Sequence, residues 1–291
     1  MNSHAIILKL ASALDLDLPE DKHRTGPRTY SLKSLAKALL FRHLLRLSSD
    51  RDLARKLQNF SELRNACGLK RAPHATTLGR ARDRIDIADI FYQLVQKAKQ
   101  HGLSRGFILT VDSTQFEAYL QGDADAKVGY CAAKDEFIFG YKAHIVSDAE
   151  SELPVAVVLT PANDHDSRQF LPLMRRVLRN FSYEIKKLLA DSGYDAAYIR
   201  RWLREHQITD VIDRNRRTGT SFGKPKDPEY KRRIASERVN SHAKDGFALE
   251  RFTFSGLERA LQHTYACLSA MLYSAISCYL IGLKNWRKLV L

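Results

Sequence analysis

Cysteine is scarce, and the four present (Cys67, Cys131, Cys267 and Cys278) are widely scattered. None shares a C-x-x-C spacing, which argues against a zinc site or a disulfide framework and fits a reducing compartment. No fixed-period repeat or low-complexity tract occurs, so a solenoid is not expected. The first residues, with His4, Lys9, Asp15 and Asp17 around a short apolar patch, lack the pattern of a secretory leader. A single stretch, Tyr265–Leu283, is largely apolar and free of charge, and its length reaches the lower limit for crossing a bilayer. Ser269, Ser274, Ser277 and Gly282 dilute it, so a buried closing helix is the expected form. A membrane partner is therefore not expected, and a cytoplasmic, nucleoid-associated location is.

Acidic residues are in deficit, 33 against 47 Lys and Arg, for a net charge of +14. Such a balance favours a polyanionic partner, most often nucleic acid. Hydrophobic content of 44% over 291 residues is enough for one sizeable core and a smaller domain.

Residues 1–101 read as helical and basic. An apolar-periodic helix is expected at Ser31–Leu47, followed by short helices at Asp50–Leu57 and Ser61–Cys67, the second stopped by Gly68. Another follows Pro73 at Ala75–Ile85, with Arg80, Arg82 and Arg84 at alternate positions. Short helices with interleaved arginine resemble helix-turn-helix DNA readers; a helical scaffold with a solvated basic surface is the alternative. Residues 102–291 change character. Strands are expected at Phe107–Asp112, Phe137–Val146, Pro154–Leu159, Ile185–Asp191 and Ile208–Ile212, with helices at Arg168–Asn180 and Ala196–Gln207. The second and third strands form a hairpin across Asp148–Glu152. The order βββαβαβα implies an α/β fold, a mixed sheet flanked by helices and preceded by the all-helical N-terminal domain.

After a loop rich in Lys, Arg, Gly and Pro (Arg214–Lys226), Asp227–Lys244 has the caps of a helix: Asp227, then Pro228, with Gly246 past its end. At about 100° per residue, Tyr230, Arg233, Glu237 and Lys244 fall within roughly 60° of one another. Asn240 and Ser241 lie beside them, while Ala235, Val239 and Ala243 form a small-residue face for packing. Asp112 and Asp191 each end an apolar run. Phosphodiester chemistry needs an activated oxygen nucleophile, charge neutralisation and help for the leaving group, which two hard cations about 4 Å apart can supply. Mg²⁺ and Mn²⁺ prefer carboxylate oxygens. Asp112, Asp191 and Glu237 are therefore the candidate catalytic acids, if their strands are parallel neighbours. Taken singly, Asp112 and Asp191 could each serve a turn.

The spacing Tyr230-x2-Arg233-x3-Glu237-x6-Lys244, with Asp112 in Thr110–Thr114 and Asp191 in Leu189–Tyr194, resembles the signature of bacterial and archaeal insertion-sequence transposases. That resemblance implies an RNase H-like catalytic domain with a DDE triad. Asp112, Asp191 and Glu237 would hold two Mg²⁺ ions per site, with Mn²⁺ as a substitute, for cleavage at element ends and strand transfer into target DNA. Tyr230, Arg233 and Lys244 would hold the phosphate backbone, with Asn240 and Lys142 as further DNA contacts. The N-terminal domain would bind the terminal inverted repeats, and a homodimer is expected on DNA. Relatives that form hairpin ends use a Trp before the glutamate helix; here neither Trp202 nor Trp286 lies in that span, and Phe222 is its one aromatic. Asn163–Asp166 could bind a metal but is expected to cap the helix that follows. Asp195 is expected at a turn or cap and Asp210 at a strand edge. A non-catalytic DNA-binding relative and a stand-alone nuclease are the competing functions.

Overall fold

The computed structural model describes residues 9, 16–18, 30–132, 134–215, 225–283 and 286–288. Phe222 and most of the basic loop before Asp227 lie outside them. The backbone groups into two compact units: 1–98 with 243–253 and 265–291, and 99–242 with 254–264. The first break falls close to the boundary expected after residue 101. The C-terminal segment, expected to close the second domain, groups with the first unit instead.

In the first unit, α1 (Leu32–Leu44), α2 (Asp50–Asn59), α3 (Ser61–Ala66) and α4 (Ala75–Arg82) are short helices, and all but α3 start on a side-chain cap. Ser31 and Ser49 accept the backbone N–H of Ser34 and Asp52, satisfying donors that a helix start leaves unpaired. Gly68, at φ +77°, supplies the left-handed stop expected of it. Asp50 pairs with Arg82 at 2.5 Å, tying α2 to α4. A fifth helix, α5 (Ile87–Gln100), buries Ile90, Phe91, Leu94 and Val95 on one face. The apolar stretch from Tyr265 lies within the final helix Leu257–Leu280, and its Tyr265 and Tyr273 rings meet Phe91 and Phe41. It is a buried closing helix, and no helix among the described residues is long and apolar enough to cross a membrane.

The second unit is built on a six-stranded mixed sheet. Its strands are β1 (Ile108–Glu117), β2 (Lys127–Cys131), β3 (Glu136–Asp148), β4 (Leu153–Pro161), β5 (Lys187–Ala190) and β6 (Thr209–Ile212). β1, β3 and β4 form an antiparallel meander, whereas β5 and β6 run parallel beyond β1. Gly140 pairs with Glu117 on one side and Lys127 on the other, so β2 shares an edge of β3 with β4. The parallel connections carry α6 (Phe170–Asn180) and α7 (Ala197–Glu205). β4 is buried along almost its whole length, as an apolar run covered on both faces should be.

Three expectations need correction. β1 does not stop at Asp112: Thr114, Gln115 and Phe116 are buried against β3, so Asp112 lies in mid-strand. The approach of β3 depends on Gly140, where a Cβ would meet the Phe116 carbonyl oxygen at 2.1 Å. β2 is an additional strand. The helix expected at Asp227–Lys244 is not uniform: Pro228–Arg233 is a 3₁₀ turn, α8 (Ile234–Ser241) follows, and His242–Gly246 is a π turn. Asp227 caps it as expected, accepting the Glu229 N–H at 2.8 Å.

Candidate active site

The two strand-borne aspartates are placed by register. Val111 of β1 pairs with Ala190 of its parallel neighbour β5, so Asp112 and Asp191, the next residues along each chain, emerge side by side. Asp112 is held on both oxygens, Oδ1 accepting the Ser113 N–H at 2.8 Å and Oδ2 the Asn240 Nδ2–H at 3.1 Å. Asp191 Oδ1 accepts the Gly193 N–H at 2.9 Å, at the start of a 3₁₀ turn. Both carboxyls are half-buried. Burial, and then the charge of Asp191, push the Asp112 carboxyl up to about 7. Asp191 is also raised, by burial first and then by Asp166.

Glu237 reaches the same neighbourhood from α8, which packs Ala235 and Val239 inward and lies on β1 and β3. Its carboxylate is not gathered with the aspartates. It is 52% exposed, and its Oε1 accepts the Arg233 guanidinium at 2.6 Å. Arg233 acts electrostatically on Asp112 and Asp191 as well, so one guanidinium serves all three acids. Among the described residues no three His, Cys, Asp or Glu side chains lie close enough to hold a metal ion. The structure thus brings two of the three expected acids together and leaves the third ion-paired at their side.

The other expected contacts divide. In a 3₁₀ turn, residues three apart eclipse, which keeps Tyr230 and Arg233 on one line. The Tyr230 hydroxyl donates to Asp213 Oδ2 at 2.5 Å and is pushed up to about 12 by burial and by Asp213. With Lys226, Lys231, Ile234 and Glu237, these two side chains line an open cavity of about 630 Å³. Asn240, expected at DNA, is turned to Asp112. Lys142 is also engaged within the protein: its ammonium donates to the Asp164 carbonyl at 2.8 Å and to Asp166 Oδ1 at 3.1 Å, and its side chain is 12% exposed. Lys244 groups with the first unit, where it pairs with Glu250 at 3.0 Å.

Asp166 is the residue that sequence reasoning placed elsewhere. Asp164 does brace the following turn, accepting Gln169 Nε2–H at 2.5 Å. Asp166 instead accepts the Ser113 hydroxyl at 3.0 Å and stands 3.6 Å from His144 Nδ1. His144 is fully buried, its Nε2 lies 2.9 Å from Thr160 Oγ1, and burial lowers it to about 4 against the pull of Asp166. Tyr194 is fully buried too, and its hydroxyl has no hydrogen-bond partner among the described residues. That phenol is raised by burial and then by Asp166, Asp112 and Asp191 in turn. Three carboxylates therefore act electrostatically on one phenol. Asp195 and Asp210, by contrast, are both held by Arg200.

The donors at this corner suit a hard divalent cation. Asp191 raises the proton affinity of half-buried Asp112, a repulsion that positive charge would relieve.

A sheet of antiparallel meander plus two parallel strands, with paired aspartates at its central neighbours, is the arrangement expected of an RNase H-like core. The family model described as "Transposase DDE domain" matches residues 106–273, and one described as "Transposase domain (DUF772)" matches residues 4–84. The first covers more than half of the chain, which belongs to the DDE transposase family. The chain is 39% identical over 92 residues to a Burkholderia cepacia protein assigned as a transposase to insertion sequence element IS402, across 29% of this chain and 43% of that one. It is 37% identical over 75 residues to the transposase for insertion sequence element IS1106 of Neisseria meningitidis serogroup B, across 26% and 24% respectively. These matches span less than half the length of either relative. Among solved structures, a piggyBac transposase synaptic complex with hairpin DNA aligns over 98% of this chain and 75% of that one, at 9% identity and a TM-score of 0.44.

Proposed function

We propose that this protein is the transposase of an insertion sequence, cutting DNA at the element's ends and joining them to a target by divalent-cation-dependent phosphodiester chemistry. The observation that carries the reading is the pairing of Asp112 with Asp191 by the parallel register of β1 and β5, beside Arg233. A pure DNA binder has no use for two half-buried carboxylates set side by side next to a guanidinium.

Asp112, Asp191 and Glu237 would hold the cations, Mg²⁺ or Mn²⁺. Such ions, when bound, neutralise charge on the phosphodiester and ease deprotonation of the attacking oxygen. The chain's own contribution is positioning. Asn240 and the Ser113 N–H fix both oxygens of Asp112, so this carboxylate cannot swing. Arg233 forks a phosphate of the bound strand, and in leaving Glu237 for that phosphate it frees the glutamate for the centre. Tyr230 keeps its proton at neutral pH and can donate it to a phosphate oxygen in hydrogen bonding. Lys226 and Lys231 extend the same cavity as point charges. Two copies of the chain would act together on paired ends, with the basic N-terminal region, residues 1–101, binding the terminal repeats.

The test is incubation of the purified protein with Mg²⁺ and DNA carrying the element's terminal inverted repeats. Joining of those ends to a target supports transposition. Unspecific nicking would indicate a nuclease, and binding without cleavage a regulator.

A further inference from the structure

Asp166, Lys142, His144 and Ser113 form a cluster that the proposed reaction does not use. Side chains alternate across a sheet, and Ser113 and Asp112 are consecutive on β1, so Ser113 points to the face opposite Asp112. His144 pairs with Ser113, and Lys142 with Gln115, so both share that opposite face. Asp166 joins the three through one oxygen: Oδ1 takes the Ser113 hydroxyl and the Lys142 ammonium and lies beside His144 Nδ1. Its other oxygen turns toward the aspartate pair. A Cβ built on Gly193 would meet Asp191 Oδ1 at 3.1 Å and Asp166 Oδ2 at 3.3 Å, so both oxygens border Gly193. The buried Tyr194 hydroxyl, without a hydrogen-bond partner among the described residues, lies within electrostatic reach of Asp166, Asp112 and Asp191.

We propose that Lys142 and Asp166 form a charge clamp behind the Asp112–Asp191 pair that sets how tightly this corner takes a divalent cation. Both are positioning residues, and the inference rests on the cation-binding reading of the two aspartates. Asp166 adds negative charge to the corner through Oδ2. Lys142 offsets part of that charge and, by gripping Oδ1, keeps Asp166 from entering the centre as a ligand. Neutral His144 fixes the rear wall without adding charge.

Removing one member of the clamp therefore moves cation affinity in a direction set by its sign. The experiment is a Mn²⁺ titration of the full chain, free of DNA, followed by the electron paramagnetic resonance of free Mn²⁺. Lys142→Met should bind Mn²⁺ about tenfold more tightly, and Asp166→Asn about tenfold more weakly. The double variant should return close to the unsubstituted protein. If Lys142→Met unfolds, Lys142→Gln keeps a donor without the charge and should shift the same way, while Lys142→Arg should shift nothing. A merely structural role would weaken binding in every variant, and that result, or unchanged affinity in the single variants, would overturn the clamp. Asp191→Ala separates the two readings. Loss of Mn²⁺ binding there with no opposite shifts at positions 142 and 166 rejects only the clamp, whereas retention of Mn²⁺ binding in Asp191→Ala rejects the cation site itself.

Discussion

Asp112 and Asp191 are held by a sheet, and Glu237 by a helix; the three acids differ accordingly. Asp112 lies within β1 and Asp191 directly follows the last paired rung of parallel β5; both are half-buried and have oxygens pinned by backbone or amide N–H groups. Glu237 stands on a helix of eight residues between a 3₁₀ turn and a π turn, exposed, and its carboxylate goes to the cation nearest along the helix. A strand register delivers two charges to one place against their repulsion because the cooperative ladder supplies the cost. A helix surface cannot do that, since an exposed carboxylate exchanges partners freely. On the proposed reading, the pair is a preformed half-site, and Glu237 would have to leave Arg233 to join it.

The sharpest way to break this contrast is to remove a strand acid. Asp112→Asn and Asp191→Asn should each lower end cleavage by about three orders of magnitude while leaving affinity for end DNA unchanged, measured by gel shift and cleavage assay. Activity at the unsubstituted level in either variant would remove that residue from the centre. Next, Gly140→Ala attacks the strand geometry itself. A Cβ 2.1 Å from the Phe116 carbonyl oxygen forces β1 and β3 apart, and urea unfolding should show a loss of about 2–3 kcal/mol.

A pH dependence follows from the raised carboxyl. Folded Asp112 holds its proton to about pH 7, whereas the unfolded chain releases it near 3.8. Between those values the folded state binds more protons, so stability falls as pH rises and is lowest above 7. In EDTA, Asp112→Asn should therefore be about 2 kcal/mol more stable than the unsubstituted protein at pH 8, and not at pH 4, by urea unfolding. Glu237→Gln should shift stability at either pH by no more than about 0.5 kcal/mol, because its ion pair is exposed, even though it stops end cleavage. A stability change for Glu237→Gln as large as for Asp112→Asn would erase the distinction between the two kinds of acid.

Much of this was legible in the chain because apolar runs mark buried strands. Leu109, Val111, Leu188 and Leu189 announce β1 and β5, and each aspartate follows such a run. The continuation of β1 was not legible: Ser113, Thr114 and Gln115 look like a turn until β3 covers them, and the Gln115 amide bonds the Ala162 carbonyl at 3.0 Å. β2 was missed because its alternation of Val128 and Tyr130 is short, exposed and interrupted by Gly129. The turns that break the glutamate helix depend on packing, which residue spacing does not record. Asp166 escaped because an acid beside Ser167 reads as a helix cap, and what recruits it, Ser113 and Lys142, is distant in sequence. The posture of Glu237 was hidden for a related reason, since spacing gives a face of a helix and not the choice of ion-pair partner.

Iron-directed cleavage of the polypeptide tests the strand-borne pair most directly. With Fe²⁺ in place of Mg²⁺, and ascorbate and peroxide to generate short-lived radicals, the chain should be cut next to residues 112 and 191, and Mg²⁺ in excess should suppress both cuts. Cuts confined to other positions, or cuts at these two that persist in Asp112→Asn/Asp191→Asn protein, would contradict a cation centre built on β1 and β5.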